Sequence, residues 1–352
     1  MHRVADQIVE ILEKAGVKRI YGIVGDSLNP VTDALRRRKT IEWIHVRHEE
    51  VAAFAASAEA QLSGNLAVCC GSSGPGNLHL INGLFDAHRN HAPVLAIASH
   101  IPQSQVGMEY FQATHPEQLF KECSAYAELV SEASQAPSIL MSAIQHAWAR
   151  RDVGVVVLPG DIADAPAEMK NLVHPPSYTR ENVVPEHESV SLLARMLDDH
   201  RRITFFCGAG CAGAEDRVVR LAHRVKAPIA YTWRGKDYFE HDNPLGIGMT
   251  GLLGWGDAYK AMHESDMLVL WGTDFPYFNF IPTKPEIVQI DRRGEVLGRR
   301  CRLDLGICGD VSVTAEALLN MVQEKTDSGH LDAALNRHAR DVKEMNAYME
   351  GN

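Results

Sequence analysis

Apolar and polar positions form two series along the chain, in each of which stretches with helical spacing alternate with short apolar runs. A short apolar run between polar or glycine-rich residues predicts a buried strand, and the longer periodic stretches predict helices. Strands that alternate with helices in this way predict an α/β fold with two doubly wound, mostly parallel sheets. The predicted strands are Arg19–Val24, Ile41–Val46, Leu66–Cys70, Val94–Ser99 and Val153–Leu158 in the first series, and Ile203–Cys207, Pro228–Thr232, Met267–Trp271 and Ile287–Asp291 in the second.

Proline residues separate the two series. Pro166, Pro175, Pro176 and Pro185 interrupt regular structure, which is typical of a linker between domains. The last predicted helix of the second series lies at about 313–325, and the polar stretch after it is expected to be partly helical, with nothing after it to pack on. The predicted segments are a first domain at 1–165, a linker at 166–188, a second domain at 189–325 and a polar tail at 326–352.

The composition is ordinary for a globular protein, with 45% hydrophobic and 23% charged residues among 352. The formal net charge of −10, with no basic tract to offset it, argues against nucleic-acid binding. The seven cysteines include no CxxC pair of the metal-binding type, so reduced thiols in a cytoplasmic protein are expected. No apolar run approaches the roughly 18 residues that span a bilayer, and the N-terminus predicts an amphipathic helix, not a signal peptide. We therefore expect no membrane contact from this chain.

The stretch Arg47–Ala60 predicts a helix with two adjacent carboxylates, Glu49 and Glu50, in its first turn, and Gly64 is expected to cap its end. The helically spaced apolar residues predict its buried face: Val51, Phe54, Ala55, Ala58 and Leu62. Since the alanines let other atoms approach closely, a carboxylate at the head of this helix can be held partly desolvated against a ligand. A surface helix with two solvated glutamates at the favourable end of the helix dipole explains the same residues.

Two glycine-rich turns each follow a predicted strand. In Gly71–Asn77 the glycines let the backbone approach a ligand and Asn77 can cap the next helix, although many α/β proteins turn this way for packing alone. The turn Cys207–Gly213 contains GxGxxG, the nominal fingerprint of a dinucleotide site. A NAD site of that kind also has an acidic residue at the end of the next strand, whereas here Arg234 follows, which suggests NADP as one alternative.

Together these motifs resemble the thiamine-diphosphate enzyme family. Arg-His-Glu followed by an alanine-rich helix is similar to the family's pyrimidine-binding domain, in which the Glu directly after His bonds N1′ of the cofactor's aminopyrimidine ring. The resemblance assigns that role to Glu49 and not to Glu50, which periodicity alone does not distinguish. The family's first glycine loop and its Gly-Pro-Gly turn imply further residues that bind the cofactor: Val24, Gly25, Gly74, Pro75 and Gly76.

Two further segments narrow the resemblance to the pyruvate oxidase and pyruvate:quinone dehydrogenase group. Gly76–Leu84 is similar to that group and has a histidine where acetolactate synthases usually lack one. Tyr110-Phe111-Gln112 also resembles it, and in the group the Phe and Gln lie near the reacting carbons. A histidine or glutamine by itself is more often structural, so the assignment depends on the joint match, which runs through essentially all 352 residues. The resemblance implies these catalytic residues: Glu49, His79, Phe111 and Gln112.

In this group the middle domain binds FAD at the carboxyl ends of its strands, through an Arg-Gly-Lys turn like the one at 234–236. Asp291 closes a predicted strand, where a carboxylate can accept ribose hydroxyls, and Asp310 is equally well explained as a helix N-cap. The resemblance implies these FAD contacts: Gly208, Gly210, Arg234, Gly235, Lys236, Thr250, Gly251, Leu252, Leu253, Thr273, Asp274, Phe275, Pro276, Tyr277, Asp291 and Asp310.

The family holds the diphosphate and its Mg²⁺ in a third domain, through a Gly-Asp-Gly motif followed by paired asparagines. The Gly-Asp pairs here, Gly25-Asp26, Gly160-Asp161 and Gly309-Asp310, do not fit that motif. The resemblance thus implies a pyrimidine domain and a flavin domain without the metal ligands. The implied reaction converts pyruvate to acetate and CO₂ and passes electrons through FAD to a quinone, in a homo-oligomer that is a dimer or a tetramer.

Two alternatives stay open. One is an enzyme like acetolactate synthase, in which FAD is only structural and pyruvate gives a different product. The other is a non-catalytic protein that binds a flavin or a nucleotide, for which a flavin spectrum without turnover would be the signature.

Overall fold

The computed structural model describes residues 2–167, 176, 178–179 and 181–351. These residues form two compact units, which divide between residues 180 and 181, and each unit contains one mostly parallel sheet with helices on its faces. The α/β fold class predicted from the sequence is therefore confirmed. Pro175, with the other predicted linker residues 168–174, 177 and 180, lies outside the described residues. Among the described helices, none is both long and apolar enough to cross a membrane.

The sheet of the first unit is parallel throughout and has the strand order β2-β1-β3-β4-β6-β5. Its strands are β1 Arg19–Gly22, β2 Glu42–His45, β3 Ala67–Gly71, β4 Val94–His100, β5 Tyr126–Leu129 and β6 Val153–Pro159. Its α-helices are α1 Val4–Lys14, α2 Asn29–Arg38, α3 Glu49–Ser63, α4 Pro75–Asn90, α5 Pro116–Leu119, α6 Ala136–Arg150 and α7 Gly160–Asp164. Because β2 and β3 lie on opposite sides of β1, the strand order reverses between β1 and β3. Open α/β sheets bind ligands at the carboxyl ends of strands at such a reversal.

The central strands of the first unit are buried on both faces, which explains their unbroken apolar runs. Along β4, Leu95 and Ile97 join the core that contains residues of α1 and α6. Val94 and Ala96 join the core on the other face, against α3 and α4. The sheet positions on the second face are richer in alanine than those on the first, so α3 and α4 lie over a surface of small side chains.

The buried face predicted for the helix that follows Arg47 is wrong. Val51, Phe54 and Leu62 are exposed, Leu62 to 85% of its surface. The face that α3 buries consists instead of the carboxylate at its head and small residues: Glu49, Ala52, Ala53, Ala56, Ser57 and Ala60. The reason is close packing of α3 on α4, where a Cβ added to Gly83 would lie 2.5 Å from the Cβ of Ala53. Only small residues fit such a contact, so the large apolar residues of α3 point away from it.

The sheet of the second unit has the order β10-β9-β8-β7-β11-β12-β13 and is parallel except for the β9–β10 pair. Its strands are β7 Ile203–Cys207, β8 Ile229–Tyr231, β9 Gly246–Met249, β10 Trp255–Gly256, β11 Met267–Trp271, β12 Glu286–Asp291 and β13 Leu305–Cys308. Its α-helices are α8 His187–Asp199, α9 Glu215–Val225, α10 Lys236–Phe239, α11 Ala258–Glu264, α12 Val311–Leu319 and α13 Gly329–Met349. Here the strand order reverses between β7 and β11.

Four short strands were not predicted: β5, β9, β10 and β13. They lie at or near the edges of the sheets, and three of them contain glycine, so none has the continuous apolar run that marks a central strand. The helix predicted at about 313–325 ends at Leu319. The polar tail forms α13, whose Leu331 and Ala334 are buried in the second unit and whose Arg337 makes a bidentate ion pair with Asp257.

The packing of α3 on α4 predicts opposite effects for two substitutions. Gly83→Ala should lower the free energy of unfolding by about 1–3 kcal/mol, because the added methyl group meets the backbone nitrogen of Phe54 at 2.6 Å. In an unconstrained helix the same change is stabilising. Leu62→Ala should change the free energy by no more than about 0.5 kcal/mol, since the side chain is exposed. Denaturant unfolding at a concentration too low for copies of the chain to associate measures both, and a larger loss at Leu62 would contradict this description of α3.

Candidate functional site

The loops that follow β1 and β3 meet at the reversal point of the first sheet. The Oγ atoms of Ser27 and Ser72 are 2.9 Å apart, and the backbone N–H of Ser73 donates to Ser27 Oγ at 3.1 Å. A Cβ on Gly25 would lie 2.3 Å from Ser72 Oγ, so glycine is needed there for contact between the loops. Val24, beside it, is exposed. These serines escaped the sequence analysis because only the pairing of parallel strands brings residues 27 and 72 together.

Gly74, Pro75 and Gly76 form the start of α4. Gly74 is the N-cap residue with a φ of +66°, which favours glycine, and Pro75 begins the helix in its preferred position. The prediction that Asn77 caps this helix is wrong. Asn77 lies inside the first turn, fully buried, and its Nδ2 donates to the carbonyl oxygen of Ser99 at 2.6 Å. Its side chain thus ties α4 to the end of β4.

Glu49 is the first residue of α3 and is only 8% exposed. Its Oε2 atom accepts a hydrogen bond from Nδ1 of His79 at 3.0 Å. A Cβ added to Gly76 would lie 3.3 Å from its other oxygen, Oε1, so that oxygen faces the Gly-Pro-Gly turn. The structure therefore brings together three of the predicted site residues at the carboxyl end of the sheet.

The neighbouring glutamate has different surroundings. Glu50 Oε1 accepts from Nδ2 of Asn82 at 2.8 Å, and its backbone N–H donates to Nδ1 of His48, the N-cap of α3, at 3.3 Å. The two carboxylates, which periodicity could not distinguish, are thus separated by the structure. Glu49 is buried between α3 and α4, whereas Glu50 is bonded to an amide at the outer side.

Two imidazole rings lie beside Glu49. The rings of His48 and His79 are stacked, with centroids 4.2 Å apart and planes at 26°. A carboxylate oxygen accepts, so Nδ1 of His79 is the donor in that bond. The arrangement can hold one carboxylate oxygen in place while the other exchanges a proton with a ligand. His48 was recognised as part of the motif but not predicted as a site residue.

The predicted residues Phe111 and Gln112 belong to the loop between β4 and α5. Gln112 has a φ of +64°, its Oε1 accepts from Ser73 Oγ at 3.1 Å, and its backbone packs against Gly74. It is therefore part of the same group of loops. Phe111 is exposed, and its ring contacts that of Tyr110 with centroids 5.6 Å apart.

At the reversal point of the second sheet, glycines let the loops pack on one another. A Cβ on Gly208 would lie 2.6 Å from the carbonyl oxygen of Gly272, and one on Gly235 would lie 2.4 Å from that of Cys207. Gly210 likewise packs against Gly272, which precedes Thr273. The glycines of the GxGxxG segment are thus explained by contact between loops.

The helix after this segment is poorly suited to a pyrophosphate. Glu215 and Asp216 occupy the first turn of α9, and Glu215 Oε1 accepts from the backbone N–H of Gly213 at 2.9 Å. A dinucleotide site of the NAD type places its pyrophosphate at the N-terminus of this helix, where two carboxylates would repel it.

The other predicted FAD contacts lie mostly on loops at the carboxyl ends of the strands. Leu252 and Leu253 are exposed at the tip between β9 and β10, and Tyr277 is exposed after β11. In the same loops Gly251 packs on the ring of Phe275, at 3.1 Å from its added Cβ, and Pro276 follows that ring in the chain. Thr250 is buried, and its Oγ1 atom has no hydrogen-bond partner among the described residues. A buried hydroxyl of this kind is unusual and fits a site where a ligand supplies the partner.

The basic turn after β8 has one cation–π contact. Nζ of Lys236 lies 5.8 Å from the centroid of the exposed Trp233 ring and 3.1 Å from a Glu240 carboxylate oxygen. Arg234 and Gly235 lie between Trp233 and Lys236, in a short 3₁₀ turn. Thr232 Oγ1 accepts from the backbone N–H of Gly235 in that turn.

Three aspartates in the predicted FAD site are held by the protein itself. Asp274 pairs with Arg299 and Arg300 at 3.0 and 3.1 Å. Asp291 is buried at the end of β12, where burial raises the pKa of its carboxyl group and Arg293 partly offsets that effect. Asp310 stands at the N-cap of α12, but its Oδ2 accepts from the backbone N–H of Val183 at 2.7 Å and makes no capping bond.

Comparison with known proteins matches both units to one family. Residues 2–120 match the family model of the thiamine pyrophosphate enzyme N-terminal TPP binding domain, and residues 190–318 match that of the thiamine pyrophosphate enzyme central domain. The points at which the strand order of each sheet reverses lie within these matched residues.

Three relatives each match 97% of this chain, at different identities. An uncharacterized 42.6 kDa protein in the isoamylase 3′ region of Pseudomonas amyloderamosa is 55% identical over 97% of this chain and 86% of its own length. Pyruvate oxidase of Lactiplantibacillus plantarum is 31% identical over 97% of this chain, and chloroplastic acetolactate synthase of Arabidopsis thaliana is 27% identical over 97%. The chain spans only 57% and 52% of the lengths of these two enzymes. By its two matched domains and its relatives, the chain belongs to the thiamine pyrophosphate enzyme family.

Proposed function

We propose that this chain provides the aminopyrimidine-binding and FAD-binding parts of a pyruvate dehydrogenase that reduces quinone. The reaction would convert pyruvate to acetate and CO₂ and pass the electrons through FAD. The observation that carries the proposal is the buried Glu49 carboxylate, which His79 holds by one oxygen while the other faces Gly76. In the proposal the diphosphate and Mg²⁺ are bound by residues outside 1–352, and the complete enzyme is a homo-oligomer.

Glu49 fits the aminopyrimidine part of thiamine diphosphate. When bound, that cofactor supplies the carbon nucleophile and takes up the electrons released by decarboxylation. The protein's task is to share a proton with a ring nitrogen through Glu49 Oε1 while Oε2 keeps its bond to His79. The absence of a side chain at Gly76 leaves room beside Oε1, and burial excludes competing water.

His79 favours the pyruvate-oxidising branch over an acetolactate synthase. Its bond to Glu49 makes it part of the proton-sharing group, so a residue unable to donate there would leave Oε2 without its partner. Gln112, bonded to Ser73 beside the Gly-Pro-Gly turn, and the exposed Phe111 are proposed to contact the substrate. Acetate as the product from pyruvate would support this choice, and acetolactate would favour the alternative.

FAD is proposed to bind at the carboxyl edge of the second sheet. The exposed Leu252, Leu253 and Tyr277 offer apolar area for a ring system, and the unpartnered hydroxyl of Thr250 offers a polar contact. The acidic first turn of α9 argues against NAD in the same place.

A second copy of the chain is proposed to cover part of the first unit. Large apolar side chains are exposed on α3 and α4, namely Val51, Phe54, Leu62 and Leu78. A group of exposed apolar residues on adjacent helices is typical of an interface between protein subunits. This supports the homo-oligomer.

Substitution of the two adjacent glutamates tests the catalytic assignment. With the diphosphate-binding domain of a relative supplied in trans, Glu49→Gln should lower pyruvate-dependent dye reduction by at least about 100-fold, since the amide cannot exchange the proton. Glu50→Gln, the matched control, should stay within about threefold because the Glu50 carboxylate contacts Asn82 and, at 3.8 Å, His48, and not the pair of Glu49 and His79. Equal losses, or a larger loss at Glu50, would overturn the assignment of Glu49.

Flavin binding is expected from the chain by itself. The fluorescence of FAD should be quenched on binding, whereas NAD should show no saturable binding. Arg234→Ala should weaken FAD binding by roughly tenfold or more, through the loss of a charge-assisted hydrogen bond. Arg302→Ala is the control, since Arg302 in the same unit is 91% exposed. Fluorescence titration measures all of these, and saturable NAD binding without FAD binding would contradict the proposal.

The chain by itself is expected not to decarboxylate pyruvate, even with excess thiamine diphosphate and Mg²⁺. The first unit offers the ring contact of Glu49, whereas the diphosphate normally makes several charge-assisted bonds of about 1.5–3 kcal/mol each. Their loss should weaken cofactor binding by a factor of thousands or more, at about tenfold per 1.4 kcal/mol. Calorimetry and an acceptor-reduction assay measure both, and turnover by the chain alone would refute this division of the site.

A further inference from the structure

We propose that His48, Glu49 and His79 form a binding site for a divalent transition-metal ion, of which Zn²⁺ fits best. One ligand atom from each of the three side chains lies within 4.8 Å of the other two. Within the part of the chain that the structure describes, no other group of three His, Cys, Asp or Glu side chains meets this condition. The proposal depends on these contacts and not on the proposed pyruvate chemistry.

The chemical types of the three ligands favour a transition metal, and the same set also holds non-haem Fe(II). Two imidazoles and one carboxylate form the ligand set of open zinc sites, in which water or a substrate takes the fourth position. Mg²⁺ and Ca²⁺ prefer sites made of oxygen ligands, so a site with two nitrogen donors favours Zn²⁺ and its transition-metal neighbours. The side chains of both histidines are half-exposed, so solvent can reach them.

Rotation of the two imidazole side chains would complete the coordination. Bond lengths of about 2.0–2.2 Å to zinc place tetrahedral ligand atoms roughly 3.3 Å apart. Glu49 Oε2 and His79 Nδ1 are 3.0 Å apart, so coordination by both atoms requires the ring proton of His79 to be on Nε2 instead of Nδ1. The rings of His48 and His79 must also turn out of their stack, because the lone pair of a ring nitrogen lies in the plane of its ring. The side chains of His48 and His79 are 46% and 44% exposed, so they can turn toward the buried carboxylate.

The structure selects one glutamate of the adjacent pair for the metal. Glu50 Oε1 accepts from Asn82 and Oε2 lies 3.8 Å from His48 Nδ1, but the Glu50 carboxylate is not part of the group of three. Glu49 lies at the head of α3 beside both rings. Since Glu49 is also the residue proposed to bond the aminopyrimidine, a bound metal ion and that ring would exclude one another.

Titration of the purified full chain with Zn²⁺ tests the proposal, with Co²⁺ absorption as a report on coordination by nitrogen. We expect one strongly bound ion per chain. His48→Asn keeps a good N-cap residue while removing the imidazole, and Glu49→Gln and His79→Gln remove the other two ligands. Each should weaken binding by at least about tenfold, because loss of even an outer partner of a metal ligand costs that much.

Two variants serve as matched controls. Glu50→Gln removes the adjacent carboxylate. His115→Ala removes an exposed histidine whose Nδ1 lies 3.5 Å from Glu117 Oε1 and which belongs to no group of three ligands among the described residues. Both should bind Zn²⁺ like the unchanged chain. Circular dichroism identifies any variant that fails to fold. The Asn or Gln replacements of the other ligand residues then decide whether the site binds Zn²⁺.

The proposal is overturned if the chain binds no Zn²⁺ in excess of these controls, or if all three ligand variants bind it as the unchanged chain does. Unchanged affinity in the controls together with loss in the three variants supports it. The titration needs no substrate, so an enzyme that proved inactive on pyruvate would leave its result unaffected.

Discussion

The close contact of α3 with α4 is the constraint on which the candidate site depends. Backbone approach at Gly83 and Ala53 brings the head of α3 within hydrogen-bond distance of His79, four residues before Gly83 on α4. A larger residue at either position would separate the helices and lengthen the bond between Glu49 and His79. The alanines of α3 are therefore explained by helix packing, and the position of one carboxylate follows from it.

Burial gives that carboxylate its chemical character. A buried carboxylate is costly unless it is hydrogen-bonded, and the imidazole of His79 provides the bond to Glu49. The start of α3 also favours negative charge through the helix dipole, an effect of about 0.3–1 kcal/mol. Glu50 shares the dipole but not the burial, so two chemically identical residues differ in what they can do. The same set of contacts explains why two imidazoles and one carboxylate come close enough to bind a metal ion.

In both units two loops meet where the strand order reverses, but different residue types make the contact. Both reverse the strand order in mid-sheet, which opens a crevice at the carboxyl ends of the strands. In the first unit serine hydroxyls join the two loops at that point, through Ser27 and Ser72. In the second unit glycines do so, through Gly208 and Gly272. The glycines of the GxGxxG segment thus serve loop packing here. The acidic first turn of α9 is unfavourable for the pyrophosphate that the pattern alone would predict.

The order and type of the main elements could be read from the sequence, because local periodicity and glycine or proline punctuation determine them. The central strands and the αL cap at Gly64 were found in this way, whereas the choice of Glu49 over Glu50 came from the resemblance to the family motif. The short edge strands were not, since they lack an apolar run. Three features depended on residues distant in the sequence. They are the buried face of α3, the choice of carboxylate at the reversal point of the first sheet, and the hydrogen-bond partner of the Asn77 amide. Those outcomes depend on how closely α3, α4 and the strand ends pack, because the space between two helices determines which side chains fit. The residue pattern of one helix does not contain the shape of the helix that packs on it.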